Sequence, residues 1–190
     1  MPGKIPGSIT VEIFVKIRGF LGQILKELEA TGAKRVVTRL NRSDSTKPAP
    51  YFVGIMEDSE LVTRRAARNE PDAGLFRFGD DNPSEVYNET VCNPPGKMIQ
   101  RNWKTKDYEE KSGNAKALSH EIGCDYQRFI AIRVPVAGDK HQNVGTITVG
   151  FKNNPASPRV QAIMKKWAQD PNSEFVKYLR ANFILNGPKY

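Results

Sequence analysis

The chain has 190 residues, 38% of them hydrophobic and 26% charged, and carries a formal net charge of +8. This length suits one domain with a substantial core, and no apolar run is long enough to cross a bilayer. We therefore expect a single domain over residues 1–190 in the cytoplasm, where Cys92 and Cys124, the only two cysteines, would stay reduced.

The positive charge raises the question of a nucleic-acid partner, because lysine and arginine neutralise phosphates. The basic residues are spread along the whole chain and usually have acidic neighbours. No zinc-finger spacing or RNA-recognition motif accompanies them. Solvated basic surfaces explain this distribution better than a nucleic-acid groove, which we keep as an alternative.

The first predicted element is a helix over residues 8–31. Its apolar residues recur at spacings of three and four, which places them on one stripe, and Gly32 supplies a left-handed stop. Ser8 or Thr10 can cap its start. The stripe consists of Phe14, Ile17, Leu21, Ile24 and Leu28. Further apolar residues widen it, so the helix either covers its own domain or pairs with a second helix in a homodimer.

Residues 32–170 are predicted to form the sheet and the core of a pocket. Two strands, Arg35 to Leu40 and Tyr51 to Met56, make a hairpin, and a short helix follows from Ser59 to Asn69 with Asp58 or Ser59 as its cap. Residues 70–113 contain four prolines and read as irregular. A long loop of this kind predicts a mobile cover over the sheet.

A second hairpin is the strongest local signal. The runs Arg128 to Val136 and Asn143 to Phe151 are rich in β-branched and aromatic residues, and a polar connector separates them. Such strands belong near the middle of a sheet. Pro135 cannot donate to a ladder, so we expect it at a bulge or at the end of the pairing. Arg128 and Arg133 lie in these strands, where an inward arginine needs an acid or an anionic ligand group, although an outward arginine is the commoner case.

Two helices are predicted after the hairpin. Ser157 followed by Pro158 marks the start of one, and Pro171 ends it. Asn172 or Ser173 begins a C-terminal helix within residues 171–190, which ends at Gly187.

The second hairpin, with a valine–proline pair ending its first strand, resembles the end of a GAF domain. The resemblance covers roughly residues 32–169, and the preceding helix resembles the dimerisation helix of that family. It implies an α+β fold in which helices flank a central antiparallel sheet. It also implies a non-enzymatic sensory or regulatory module that binds an unidentified small molecule between the sheet and the loops at 72–126. The ligand-binding residues expected there are His120, Glu121, Cys124, Asp125, Tyr126 and Arg128. The cyclic-nucleotide signature and a convincing tetrapyrrole attachment site are not evident, and no cofactor is predicted.

The segment from His120 to Asp125 also resembles the active-site stretch of the free methionine-(R)-sulfoxide reductases, with a spacing that departs by one residue. That resemblance would make Cys124 the nucleophile, Cys92 the resolving thiol and Asp125 a partner for the substrate amine. A buried structural thiol is the alternative, and the one we favour. We predict no metal site, because His120 and His141, the latter expected in the hairpin turn, are too few to form one.

Overall fold

The computed structural model describes residues 11–41, 50–70, 77–78, 90, 97–112, 117–136 and 139–183. Its centre is an antiparallel sheet of six strands in the order β3-β2-β1-β6-β5-β4. The strands are β1 (Ala33–Asn41), β2 (Pro50–Glu57), β3 (Arg77–Phe78), β4 (Ile99–Lys104), β5 (Tyr126–Val136) and β6 (Asp139–Phe151). The α+β class predicted from the sequence is confirmed.

Six helices surround this sheet in the part of the chain that the structure describes. They are α1 (Val11–Leu28), α2 (Ser59–Ala67), α3 (Thr105–Ser112), α4 (Leu118–Ile122), α5 (Pro158–Gln169) and α6 (Glu174–Phe183), and a 3₁₀ turn at Glu29–Thr31 extends α1. None of these helices has both the length and the apolarity that a membrane crossing requires.

The second hairpin lies where the sequence predicted it, at the middle of the sheet. Strand β6 pairs with β5 on one side and with β1 on the other. The β5–β6 register shifts on both sides of Pro135, so the predicted bulge at this proline is confirmed. Because β6 begins at Asp139, the placement of His141 in the turn was wrong, and this residue lies in the strand.

Alternation along β1, β5 and β6 divides the sheet into two faces. One face, which we call the helix face, is mostly apolar and packs against α1, α5 and α6. Its sheet residues are Val36, Leu40, Ile130, Ile132, Val134, Ile147, Val149 and Phe151. The other face, which we call the polar face, carries the alternate residues of the same strands.

Helix α1 contributes its apolar stripe to the core under the helix face. Ile17, Leu21, Ile24 and Leu28 are all buried there, which leaves them no surface for a second copy of the chain. The apolar residues beyond the stripe are also used within the chain. The Phe20 ring lies 5.3 Å from the Phe175 ring and 5.7 Å from the Tyr178 ring between centroids.

Helices α5 and α6 of the same chain both pack beside α1. A homodimer through the predicted stripe stays a prediction, and the burial of Ile17, Leu21, Ile24 and Leu28 within one chain does not support it. A homodimer formed through α1 would have to use the outer side of the helix, where Val15 is 60% exposed.

Helix boundaries follow the capping residues. Gly32 ends the α1 segment with φ of 82°, as predicted. The Asp58 side chain accepts a hydrogen bond from the Leu61 amide, and Ser157 accepts one from the Val160 amide with Pro158 in the first turn. These predicted caps are confirmed, while Ser8 and Thr10 lie outside the described residues.

The prediction of an irregular segment over residues 70–113 was wrong in its second half. Ile99–Lys104 forms strand β4 at the sheet edge, and α3 follows it directly. The strand was missed because polar residues occupy much of this edge strand, and the helix because it carries few apolar residues. Tertiary contacts stabilise both, since Trp103 and Tyr108 pack with Phe129 of β5.

We expect Ile24→Ala to lower the free energy of unfolding by about 3 kcal/mol, because it leaves a cavity in the packed core under the helix face. Val15→Ala in the same helix is the matched control and should change it by less than about 0.5 kcal/mol. Urea unfolding followed by circular dichroism measures both. Equal effects from the two substitutions would contradict the placement of the stripe.

Candidate functional site

The polar face of the sheet differs from an ordinary protein core because it carries charged side chains. Arg35, Val37 and Arg39 alternate on it along β1. Gly150 of β6 lies beneath α4, because a Cβ added there would stand 2.4 Å from a Leu118 methyl carbon. Helix α4 therefore packs on this face near one end of the central strands.

At the end of the polar face near α2, oppositely charged side chains pair with one another in a cluster. Arg35 and Glu57 are opposite each other in the β1–β2 register, and the Arg35 Nε donates to Glu57 Oε1 at 2.6 Å. Arg65 of α2 donates from Nε to Glu57 Oε2 at 2.6 Å. Burial alone would raise the pKa of Glu57, but the Arg65 hydrogen bonds and the charge of Arg35 outweigh it and hold this pKa below its ordinary value.

Glu121 takes part in a second ion pair, which joins α4 to α2. Its buried carboxylate pairs with Arg68, and its backbone carbonyl accepts a hydrogen bond from Arg64 at 2.8 Å. The Glu121 hydrogen bond is the main reason why the pKa of Arg68 is raised. Glu121 is therefore already engaged in holding the two helices together.

His120 makes a different contact from that of Glu121. It is exposed, and its Nε2 lies 2.7 Å from Glu109 Oε1 of α3. This contact joins two surface helices. It does not bring His120 close to the other predicted ligand-binding residues.

Cys124 is part of a small apolar cluster with Leu61, Leu118 and Ile122. Its Sγ donates a hydrogen bond to the Tyr126 carbonyl at 3.1 Å. This contact engages the Cys124 sulfur with the backbone of the chain itself. The proposed resolving residue, Cys92, lies outside the described residues.

The remaining predicted residues are at the start of β5. Asp125 is exposed, and its carbonyl accepts a hydrogen bond from the Thr105 amide at 2.9 Å. The Arg128 guanidinium lies 5.2 Å from the centre of the Tyr126 ring and donates to Asn102 at 3.1 Å. Tyr126 and Arg128 share the strand parity of Ile130, so they belong to the side of the helix face. The six predicted residues thus lie in several separate contacts.

A different set of polar residues meets at the centre of the polar face. Thr146 of β6 is opposite Arg39 of β1 in one register and opposite Arg133 of β5 in the other. Residues directly opposite each other on antiparallel strands present their side chains on the same face. We call Arg39, Thr146 and Arg133 the arginine–threonine row.

The arginine–threonine row is buried. Arg133 is 3% exposed and Thr146 is 1% exposed, while Arg39 is half-buried. The Thr146 Oγ1 is enclosed and makes no hydrogen bond with the residues that the structure describes. Burying polar side chains at these positions costs folding free energy that aliphatic side chains would not cost.

Apolar residues adjoin the arginine–threonine row. Val53 is opposite Arg39 on β2 and is buried. Two positions further along the strands, Val37, Thr148 and Ala131 are opposite one another across β1, β6 and β5. The polar face therefore combines two cations and a hydroxyl with a neighbouring apolar floor.

The sequence identified one member of the row. Arg133 was noted as an arginine that would need an acid or an anionic ligand group if it pointed inward. Its burial confirms the inward orientation. Arg39 was predicted only as part of the strand from Arg35 to Leu40, and Thr146 only as part of the strand from Asn143 to Phe151. The alternation of Arg35, Val37 and Arg39 was the available signal, but the register between β1 and β6 was needed to use it.

No group of three or more histidine, cysteine, aspartate or glutamate side chains within the described residues could hold a metal ion. Comparison of the chain with models of known protein families, with curated proteins and with solved structures gives no significant match. The geometry of the polar face is therefore the basis for a functional assignment.

We expect Glu57→Gln to lower the free energy of unfolding by about 3 kcal/mol at pH 7, because it leaves Arg35 and Arg65 without their buried anion. The stabilisation from Glu57 is fully present above its unfolded pKa of about 4.3 and is lost as the pH falls through its lower folded pKa. The difference from wild type should therefore shrink as the pH falls below about 4.3.

Urea unfolding at pH 7 and pH 3 measures this difference. Glu174→Gln is the control, since this residue is 77% exposed and pairs with Lys177 on the surface. A Glu57→Gln effect of the same size at both pH values would show that its charge is not the cause.

Proposed function

We propose that the chain is a GAF-like, non-enzymatic module that senses a small molecule bound against the polar face of its sheet. The α+β architecture, with helices flanking a central antiparallel sheet, supports this proposal. The observation that carries it is the arginine–threonine row, buried at the centre of one sheet face. Buried polar groups beside an apolar floor are the usual composition of a small-molecule site.

The two faces of the sheet have different roles in this proposal. The helix face is covered by side chains from α1, α5 and α6. The polar face holds the polar groups that can orient a ligand. The sequence placed the ligand site between the sheet and residues 72–126, with ligand-binding residues within 120–128. We propose instead a site on the polar face, at the centre of β1, β6 and β5.

The alternative of a nucleic-acid-binding domain gains no support from the basic residues. Many of them are in ion pairs with acidic neighbours, which reduces the positive potential available to phosphates. Examples are Lys34 with Asp58 and Glu60, and Lys166 with Glu27.

Native mass spectrometry of the intact chain tests the sensing proposal. We expect a bound small molecule, which can be identified after denaturation, or a ligand from a metabolite library that raises the melting temperature. Hydrogen exchange should show that the ligand protects β1, β5 and β6. A chain that carries no small molecule and responds to none in the library would contradict the proposal.

A blocking substitution makes this test specific to the polar face. Thr148→Trp places a large ring on the apolar floor beside the arginine–threonine row, and it should abolish ligand binding while the circular dichroism spectrum stays native. Thr63→Trp, at an exposed position of α2, is the matched control and should bind as wild type does. Unchanged binding by Thr148→Trp would place the ligand elsewhere.

We also expect the chain to show no turnover of free methionine sulfoxide, because the Cys124 Sγ that would have to attack the substrate is engaged in a hydrogen bond to the Tyr126 carbonyl at 3.1 Å. A thiol-coupled reductase assay of wild type and Cys124→Ser measures this. Turnover by wild type that disappears in Cys124→Ser would establish the reductase assignment instead.

A further inference from the structure

Helix α1 has an exposed stripe on the side that faces away from the core. Most of its residues recur at alternating spacings of four and three, so they lie along one line of the helix. Val15, at 60% exposure, is the most exposed of the large hydrophobic side chains that the structure describes. We call this set the outer stripe, and it consists of Glu12, Val15, Lys16, Gly19, Gln23 and Lys26.

An open groove lies along the outer stripe, where α1 meets Tyr178 of α6. Its volume is about 490 Å³. Gly19 widens it, because a Cβ at this position would meet no heavy atom within 4 Å. Glycine inside a helix lowers stability relative to alanine, and the contacts of the described residues do not explain its presence here. The groove is lined by Glu12, Val15, Lys16, Gly19, Phe20, Gln23 and Tyr178.

A glycine on the outer side of a helix permits close approach of a second backbone. Gly19 lies at the middle of the outer stripe, with Glu12 seven positions before it and Lys26 seven positions after it. Each of the two charges is therefore about 10 Å from Gly19 along the helix axis. Neither Glu12 nor Lys26 forms an ion pair with a residue that the structure describes.

This spacing makes the outer stripe complementary to itself. Two copies of α1 that cross antiparallel at Gly19 bring Glu12 of each copy opposite Lys26 of the other. A contact of this kind is isologous, because the same residues serve both copies. The stripe carries charges of both signs, so neither an acidic nor a basic partner matches it along its whole length, whereas a second copy pairs opposite charges at both ends.

We propose that the outer stripe is a self-association surface on which a second copy of the chain docks, with the two α1 helices antiparallel and crossing at Gly19. Val15 of each copy then packs into the groove of the other, beside Gln23. This inference concerns the helix side of the molecule and is independent of the sensing proposal.

Sedimentation velocity of the full chain at low ionic strength, over a wide range of protein concentration, measures the association. A contact between two helices of this length is at the small end of specific interfaces, so the dimer should form at high protein concentration. Added salt should weaken it, because its ion pairs lie at the surface.

Substitution of Gly19 separates the stability of one chain from the association of two. Gly19→Ala should raise the melting temperature by about 2–4 °C, because alanine favours the helix and meets no atom within one chain. The same methyl group stands where the helices cross, so it should weaken the dimer about tenfold. Gly19→Leu should abolish the dimer while the circular dichroism spectrum stays native.

Charge reversal tests the antiparallel arrangement. Glu12→Lys places like charges opposite each other at both ends of the contact, and it should weaken the dimer about tenfold or more. Glu12→Lys combined with Lys26→Glu reverses both pairs and should restore the wild-type association. Glu110→Lys makes the same change of charge at a position of α3 that is 65% exposed, and it should dimerise as wild type does.

A chain that stays monomeric at every concentration would overturn the inference. So would a dimer that Gly19→Leu leaves unchanged, or one that the double charge reversal does not restore. A small molecule or a different protein bound in the groove, detected by native mass spectrometry and lost in Gly19→Leu, would assign the groove to another occupant and overturn it as well. None of these outcomes bears on ligand binding at the polar face, which is measured separately.

Discussion

The alternation of side chains along β6 is the constraint on which the rest of the structure depends. Each residue of this central strand is committed to one of two faces, and both of its neighbours, β1 and β5, are fixed to it by register. Ile147, Val149 and Phe151 seal the helix face, so the residues between them must lie on the polar face. A slip of one position would bury Thr146 and Thr148 among the helices and is excluded by that cost.

Local sequence patterns determine which parts of the fold can be predicted from the sequence. The hairpin of β5 and β6, the bulge at Pro135, the Gly32 end of the α1 segment and the starts of α2 and α5 depend on local patterns, and each of these predictions is confirmed. Strand β4 and helix α3 were missed because their stability comes from packing on β5 rather than from their own composition. Local propensity is a weak guide where tertiary contacts decide.

The candidate site was harder to predict for a related reason. Residues 120–128 are close in the sequence, but a short helix and the start of a strand direct their side chains to different surfaces. The arginine–threonine row has the opposite property. Thr38 and Thr146 are 108 positions apart, yet the Thr38 hydroxyl donates to the Thr146 carbonyl at 3.0 Å. Only the pairing of the first strand with the last reveals that Arg39 and Arg133 share a neighbour.

The backbone around the row is held closely enough to keep its side chains in place. A Cβ on Gly145 would stand 2.0 Å from the Arg39 carbonyl oxygen, so only glycine permits the approach of β6 to β1 at this point. Thr38, adjacent to Arg39, is fixed by its bond to the Thr146 carbonyl. A ligand over Thr146 would meet side chains whose backbones are already positioned, which lowers the ordering cost of binding. It would also lie on strands whose opposite side packs against α1, α5 and α6. A ligand that binds two arrangements of those helices with different affinities would shift the equilibrium between them through β6. That difference in affinity would set the limit on the signal in the proposed sensing function.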